Sequence, residues 1–355
     1  MAFGRRPFPR ITFLVLVVAL AAHCGGGGGG GGGPTDPMPN LPDPPGPPGS
    51  QTVFDYSSPL GDFAIFLPPG ISTYRGVYLV GPPAGGDTRM IADRRFEGGQ
   101  FDNHGGDFEE PNFQAYRTRV LALAQKHGLA VMGGRLPTNE TALDRLENLR
   151  NAMTELATKS QHPELAMAPF LFDGLSAGGY FAYAFTRLHP ERVIGFWTQK
   201  GGGHDVRDGL AAKQVPGFLV IGGADTELRC LNLTALFENN RPAGALWALA
   251  VEPGAGHTRV LDADLQFHWM DAVLESRLPA SPAPGASVIL RMIDEGSGWL
   301  GDRETAAVAQ LNAYNKDKTQ ASWLPSAQVA ADWSAFVSPG RPLSCPEDPE
   351  EDPTS

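Results

Sequence analysis

The sequence predicts an α/β fold, a mostly parallel central sheet with helices on both faces. Three observations lead there. From about residue 52, short apolar runs alternate with longer stretches whose apolar residues recur at helical spacing. The short runs are near-continuously apolar rather than alternating, as befits strands buried on both faces. Several of them end in turns of small residues carrying one polar side chain, the position where an open parallel sheet presents its ligand site.

In chain order, "FAIFLP" (63–68) and "GVYLV" (76–80) read as two early strands. "FQAYRTRVLALAQKHG" reads as a helix that stops at Gly128, and "LAVMGG" as the next strand. "TALDRLENLRNAMTELATKS" opens on a threonine suited to capping and sets Leu143, Leu146, Leu149, Met153 and Leu156 on one stripe. Then follow the strand "PFLFDG", a helix, the strands "RVIGFW" and "GFLVIGG", a helix over 228–239, the strand "ALWALAV" and a helix over about 262–278. Beyond it, "ASVILRMIDE" reads as an added edge strand and "ADWSAFV" as a short helix.

Polar residues follow three of these strands. Ser176 follows "PFLFDG", Asp225 stands in "GGADTELR" after "GFLVIGG", and His257 stands in "EPGAGHTR" after "ALWALAV". "GLSAGG" resembles the Gly-x-Ser-x-Gly nucleophile elbow of the α/β-hydrolase family, and the order Ser, Asp, His agrees with that family. The motif alone is weak; on a strand-to-helix turn, with the acid and the histidine after later strands, it is strong. The residue types suit the chemistry. A nucleophile on a strained turn needs small neighbours, which Gly174, Ala177, Gly178 and Gly179 supply. The following helix aims its N-terminus where negative charge develops.

The resemblance covers roughly 63–278 and implies a serine hydrolase with Ser176 as nucleophile, His257 as base and Asp225 as the orienting acid. Asp173 and Asp262 are the rival acids; Asp173 is expected to brace the elbow and Asp262 to cap a helix. His204 is the rival base and a possible pocket wall, His268 is expected to pack, and the other histidines are expected to be solvated. By family position Ala177 is one oxyanion donor. The second belongs to the loop "GPPAGGD", where Pro82 and Pro83 have no N–H, which leaves Ala84 or Gly85. Within the family the chain looks like secreted polyhydroxybutyrate-depolymerase and feruloyl-esterase-type serine esterases. That implies a carboxylic ester, small or polymeric, as substrate and no cofactor. Phe101, Phe172, Tyr180 and Trp197 are candidates for an acyl pocket, and 100–113 for a loop over the site. Two other readings stand beside this one. A serine peptidase of the same fold is one, although such enzymes commonly carry a propeller for which the tether leaves no room. A catalytically dead binding lipoprotein is the other.

The N-terminus has a different logic. Arg5, Arg6 and Arg10 precede an apolar run over 11–22, too short for a comfortable span, and Cys24 follows at once. "ALAAHC" resembles a bacterial lipoprotein signal, with His23 where that pattern usually has Gly or Ala. The resemblance implies export, with a lipid on Cys24 anchoring the chain to the bacterial cell envelope; an ordinary secretory signal would instead release it. Nine glycines and a proline-rich run then read as a flexible, then semi-rigid tether. The expected organisation is a signal peptide over 1–23, a tether over 24–50, the catalytic domain over 51–280, a C-terminal extension over 281–345 and an acidic tail over 346–355. With Cys24 lipidated, export permits a Cys230–Cys345 disulfide. Three cysteines without paired spacing argue against zinc. A net charge of −11 argues against nucleic acid as a partner.

Overall fold

The structure, a computed structural model, describes residues 52–96, 111–136, 142–207, 210–261, 263–279, 288–337 and 345, all within the unit Gly46–Ser355. Cys24, Phe101, His104, Asp262 and the tether lie outside the described residues. The chain opens with a hairpin that the sequence reading caught only in its second arm. β1 (Val53–Ser58) pairs antiparallel with β2 (Gly61–Phe66). The first arm, "VFDYSS", alternates between half-buried and buried because it is an edge strand.

From there the elements alternate. β3 (Gly76–Gly81) leads to α1 (Pro111–His127), β4 (Leu129–Arg135), α2 (Ala142–Ser160), β5 (Phe170–Leu175) and α3 (Ala177–Leu188). β6 (Val193–Gln199) and β7 (Gly217–Gly222) follow, then α4 (Glu227–Asn240), β8 (Trp247–Glu252) and α5 (Asp264–Arg277). The sheet runs β1-β2-β4-β3-β5-β6-β7-β8, and every pair from β4 to β8 is parallel. Alternate residues of one strand feed two cores. Val77 and Leu79 of β3 pack with α2, α3 and α4, whereas Tyr78 and Val80 pack with α1 and α5. This double burial is what the continuous apolar runs encoded. On α2, Leu146, Leu149, Met153 and Leu156 are buried, but Leu143, assigned to the same stripe, is 67% exposed. It sits in the first turn, beyond the reach of the sheet.

The C-terminal region corrects another expectation. Residues 288–294 form no strand. Val288 and Leu290 pack inward, Ile289 and Met292 are exposed, and the Arg291 N–H donates to the Arg277 carbonyl at 2.8 Å. The chain thus runs along the end of α5 instead of extending the sheet. The edge strand β8 is served by other groups. β9 (Trp299–Gly301) pairs antiparallel with β10 (Val308–Gln310) and β11 (Ser322–Leu324), and α6 (Ala327–Phe336) packs on α5. Ser322 Oγ accepts the Leu249 N–H at 3.0 Å, and Trp333 Nε1 donates to the Leu249 carbonyl at 3.0 Å. Side chains therefore satisfy polar groups that an edge strand otherwise offers to another chain.

A disulfide joins Cys230, buried on α4, to Cys345, with Cα atoms 5.4 Å apart at a sequence separation of 115. Closing so long a loop constrains the unfolded chain by on the order of 4–5 kcal/mol in the chain-entropy view, less any strain. Reduction is expected to lower the melting temperature, as is Cys345→Ser. Thermal melts with and without reductant measure it; superimposable melts would show that the bridge contributes nothing to stability.

Candidate active site

Ser176 is the single residue between β5 and α3. Its φ of 55° and ψ of −116° lie where non-glycine residues are strained, at a cost of about 1–3 kcal/mol. The surroundings enforce that conformation. The Ser176 N–H donates to the Gln199 carbonyl at the end of β6 (2.9 Å), and the Ser176 carbonyl accepts the Tyr180 N–H of the first helical turn (3.1 Å). The strand and helix meet at contact distance because both partners are glycines. A Cβ on Gly174 would stand 2.4 Å from the Gly178 carbonyl carbon, and one on Gly178 would stand 2.4 Å from the Gly81 oxygen.

Asp225 lies in the turn between β7 and α4, and His257 in the loop after β8. The two loops are bonded to each other. The Gly223 N–H donates to the Glu252 carbonyl and the Ala224 N–H to the Ala255 carbonyl, each at 2.9 Å. His257 Nδ1 is 2.8 Å from Asp225 Oδ2. A carboxylate only accepts, so Nδ1 carries a proton, and in the neutral imidazole the lone pair is then on Nε2. Nε2 is buried and has no hydrogen-bond partner among the described residues. Asp225 Oδ1 accepts the Thr226 N–H (2.8 Å) and Arg229 Nη1 (2.7 Å). Burial alone would raise this carboxyl, but the bonds from His257, Thr226 and Arg229 outweigh it and hold the group below the usual carboxylate range.

A serine on a strained strand-to-helix turn, with an aspartate after β7 bonded to a histidine after β8, settles the architecture. The fold is that of the α/β-hydrolases. The loop after β3 lies against the elbow, since a Cβ on Gly178 would stand 2.4 Å from the Gly81 oxygen and 2.8 Å from the Pro82 oxygen, and it is anchored through Thr88. The Thr88 hydroxyl donates to the Val80 carbonyl (2.6 Å) and accepts the Gly134 N–H (3.0 Å). The Gly86 N–H is given to the Pro83 carbonyl at 3.0 Å, and Ala84 and Gly85 are exposed at the tip. Ala177, the other expected donor, is the first residue of α3, so its N–H has no intrahelical acceptor.

The rivals take other places. Asp173 is a buried brace, as expected. His204 is buried rather than lining a pocket: Asn232 Oδ1 takes its Nδ1–H at 2.9 Å, and Tyr180 and Tyr183 rings pack against it. Burial pulls its pKa down to about 4. The sign of the consequence is definite. The unfolded histidine binds a proton below about pH 6.5 while the folded one does not, so stability is lost as pH falls from about 6.5 toward 4, by on the order of 3 kcal/mol. Urea unfolding between pH 7 and 4.5 checks this; His204→Gln is expected to flatten the slope in that window. His268 is not merely packed: its Nδ1 is 2.7 Å from Asp332 Oδ2, joining α5 to α6. Nor are His127 and His162 free in solvent, since His127 is buried 2.6 Å from Asp271 and His162 lies 2.9 Å from Glu164. His127, Asp271 and Glu275 bring three ligand atoms together, but the Lys126 ammonium already sits on both carboxylates. Phe172 and Trp197 belong to the two cores, so they do not line an acyl pocket; Tyr180 is half-buried beside the elbow.

The sequence reading passed over Gln199, Lys200, Arg229 and Arg259, all bonded to site loops. Lys200, buried and at φ 52°, donates to Glu252 Oε2 at 2.5 Å and to the Thr258 carbonyl beside His257. Burial lowers its pKa despite the Glu252 partner.

No protein-family model matches the sequence, and no curated protein matches it. Solved structures do. A thermostable esterase is 17% identical over 57% of this chain, with a TM-score of 0.41; the chain spans 54% of that protein. A feruloyl esterase module from Clostridium thermocellum is 15% identical over 65% of this chain and 89% of its own, with a TM-score of 0.42. A serine hydrolase homologue from Coxiella burnetii is 14% identical over 63% of this chain and 96% of its own, with a TM-score of 0.37.

Proposed function

We propose that the chain is a serine hydrolase that cleaves carboxylic esters through an acyl-enzyme on Ser176. The observation that carries this reading is His257 itself: Nδ1 is committed to Asp225, and Nε2 has a lone pair and no partner among the described residues. In this mechanism Nε2 accepts the Ser176 hydroxyl proton as Oγ attacks the acyl carbon, and Asp225 stabilises the resulting imidazolium. The oxyanion is held by the Ala177 N–H and by an N–H of Ala84 or Gly85. His257 then protonates the leaving alcohol, and water, deprotonated by the same nitrogen, releases the acid. The strained conformation of Ser176 favours an enzyme over an inert binding fold, since strain of this kind persists where it serves a site.

The deciding experiment gives the purified protein a fluorophosphonate probe, then acyl esters of graded length, a polyester and short peptides. Labelling with ester turnover is the expected result. Peptide turnover without ester turnover would make it a peptidase, and no labelling would make it a binding protein. We further propose that a lipid on Cys24 anchors the protein to the cell envelope. Cys24→Ala is then expected to move it from the membrane fraction to the soluble one, and equal membrane retention would reject the anchor.

A further inference from the structure

Beneath the elbow lies an ion pair with no solvent contact. Asp173 Oδ1 and Arg259 Nη1 are 2.9 Å apart, and both side chains are fully buried. Asp173 stands three residues before Ser176 on β5, and Arg259 stands two residues after His257. The carboxylate is saturated. Oδ1 also accepts Gln199 Nε2 at 2.9 Å, while Oδ2 accepts Tyr116 Oη at 2.5 Å, Gln266 Nε2 at 2.7 Å and Tyr78 Oη at 3.2 Å.

Stability is a poor reason for such a pair, because replacing both charges with apolar groups is often neutral or better. Its distinguishing property is convergence. Arg259 Nη2 donates to the Gly81 carbonyl at 2.7 Å, at the root of the loop that carries Ala84 and Gly85. Gln199 closes the other side: its backbone carbonyl accepts the Ser176 N–H at 2.9 Å, and its Oε1 accepts the Val260 N–H at 2.6 Å. One guanidinium and one amide thus tie the histidine loop, the nucleophile strand and the β3 loop into a single unit. A planar fork suits this task. A lysine at the same place has one compact ammonium and cannot reproduce both directions.

We propose that Arg259, anchored on Asp173, is a positioning residue that sets His257 and the β3 loop relative to Ser176. The proposal rests on the reading of Ser176 and His257 as nucleophile and base.

The test uses the full chain as wild type, Arg259→Lys and the double variant Asp173→Asn/Arg259→Met, which leaves no orphaned charge if the single variant fails to fold. Steady-state kinetics on an ester, the fluorophosphonate labelling rate and the downfield proton resonance of His257 Nδ1–H are read together. A displacement of about 1 Å costs on the order of 100-fold in rate. The expected result is therefore a loss of that size in kcat with KM little changed, a parallel fall in labelling, and a shifted or broadened proton resonance, each read at a temperature where circular dichroism shows the variant folded. Wild-type kcat and an unmoved resonance in a folded variant would overturn the proposal. A wild-type protein that neither labels nor turns over ester overturns the proposed function instead, and the proton resonance of the variants then decides the positioning role alone.

Discussion

Ser176→Ala is expected to remove ester turnover by on the order of a millionfold, and His257→Ala by a similar factor, because the proposed nucleophile and base act as a unit. The serine substitution is clean. Ser176 makes no side-chain capping bond to α3, so its hydroxyl contributes nothing to the helix start. The strained φ is no worse for alanine than for serine, since both carry a Cβ. A folded, inert protein is the expected product, with a circular dichroism spectrum like the wild type's and no fluorophosphonate labelling. His257→Ala also leaves the core intact, because the imidazole belongs to neither hydrophobic cluster. His204→Ala provides the contrast. It opens a hole among Tyr180, Tyr183 and Asn232 and lowers stability, but it removes no group from the reaction, so turnover at temperatures where the variant is folded is expected to fall far less. Persistent labelling of Ser176→Ala would move the nucleophile elsewhere, and a larger loss from His204→Ala than from His257→Ala would reverse the assignment of the base.

The reach of the sequence follows from what each feature depends on. The parallel strands were legible because burial on both faces leaves an unbroken apolar run, and the elbow was legible because its geometry is local: four small residues around one serine. β1 was not, because "VFDYSS" is half-buried and mixed in polarity. The three strands of the C-terminal sheet have three residues each, too few to show any period. "ASVILRMIDE" was misread because an alternating apolar run serves equally well for a strand and for an extended segment lying on a helix. Asp173 could be read as a brace from its place before the elbow. Arg259 could not, since its partners lie 86 and 178 residues away and only the closed sheet brings them together. The same distinction separates Asp225, found by its loop, from Arg229, whose bearing on catalysis depends on which carboxylate oxygen it touches.

That choice of oxygen makes Asp225→Asn a sharp experiment. The expected loss is about 10 000-fold in kcat, the size associated with forcing the wrong histidine tautomer. An isolated asparagine has two ways to sit, and one of them, with its oxygen toward Nδ1, would preserve the tautomer. Here the other side of residue 225 decides. The Thr226 N–H at 2.8 Å and Arg229 Nη1 at 2.7 Å both donate to Oδ1, so the introduced amide must place its oxygen there and turn its NH₂ toward His257. Nδ1 then becomes the acceptor, the imidazole proton moves to Nε2, and the proposed base has no lone pair to receive the hydroxyl proton of Ser176. Arg229 is therefore what makes the substitution damaging. In Asp225→Asn/Arg229→Met the stronger of the two opposing donors is gone, the amide gains freedom to flip, and part of the lost turnover is expected to return, although Arg229→Met alone should not raise kcat. Steady-state kinetics on the three variants reads this directly. If the double variant is as inactive as Asp225→Asn, the tautomer is not set through Arg229, and the loss belongs to the missing charge on the carboxylate.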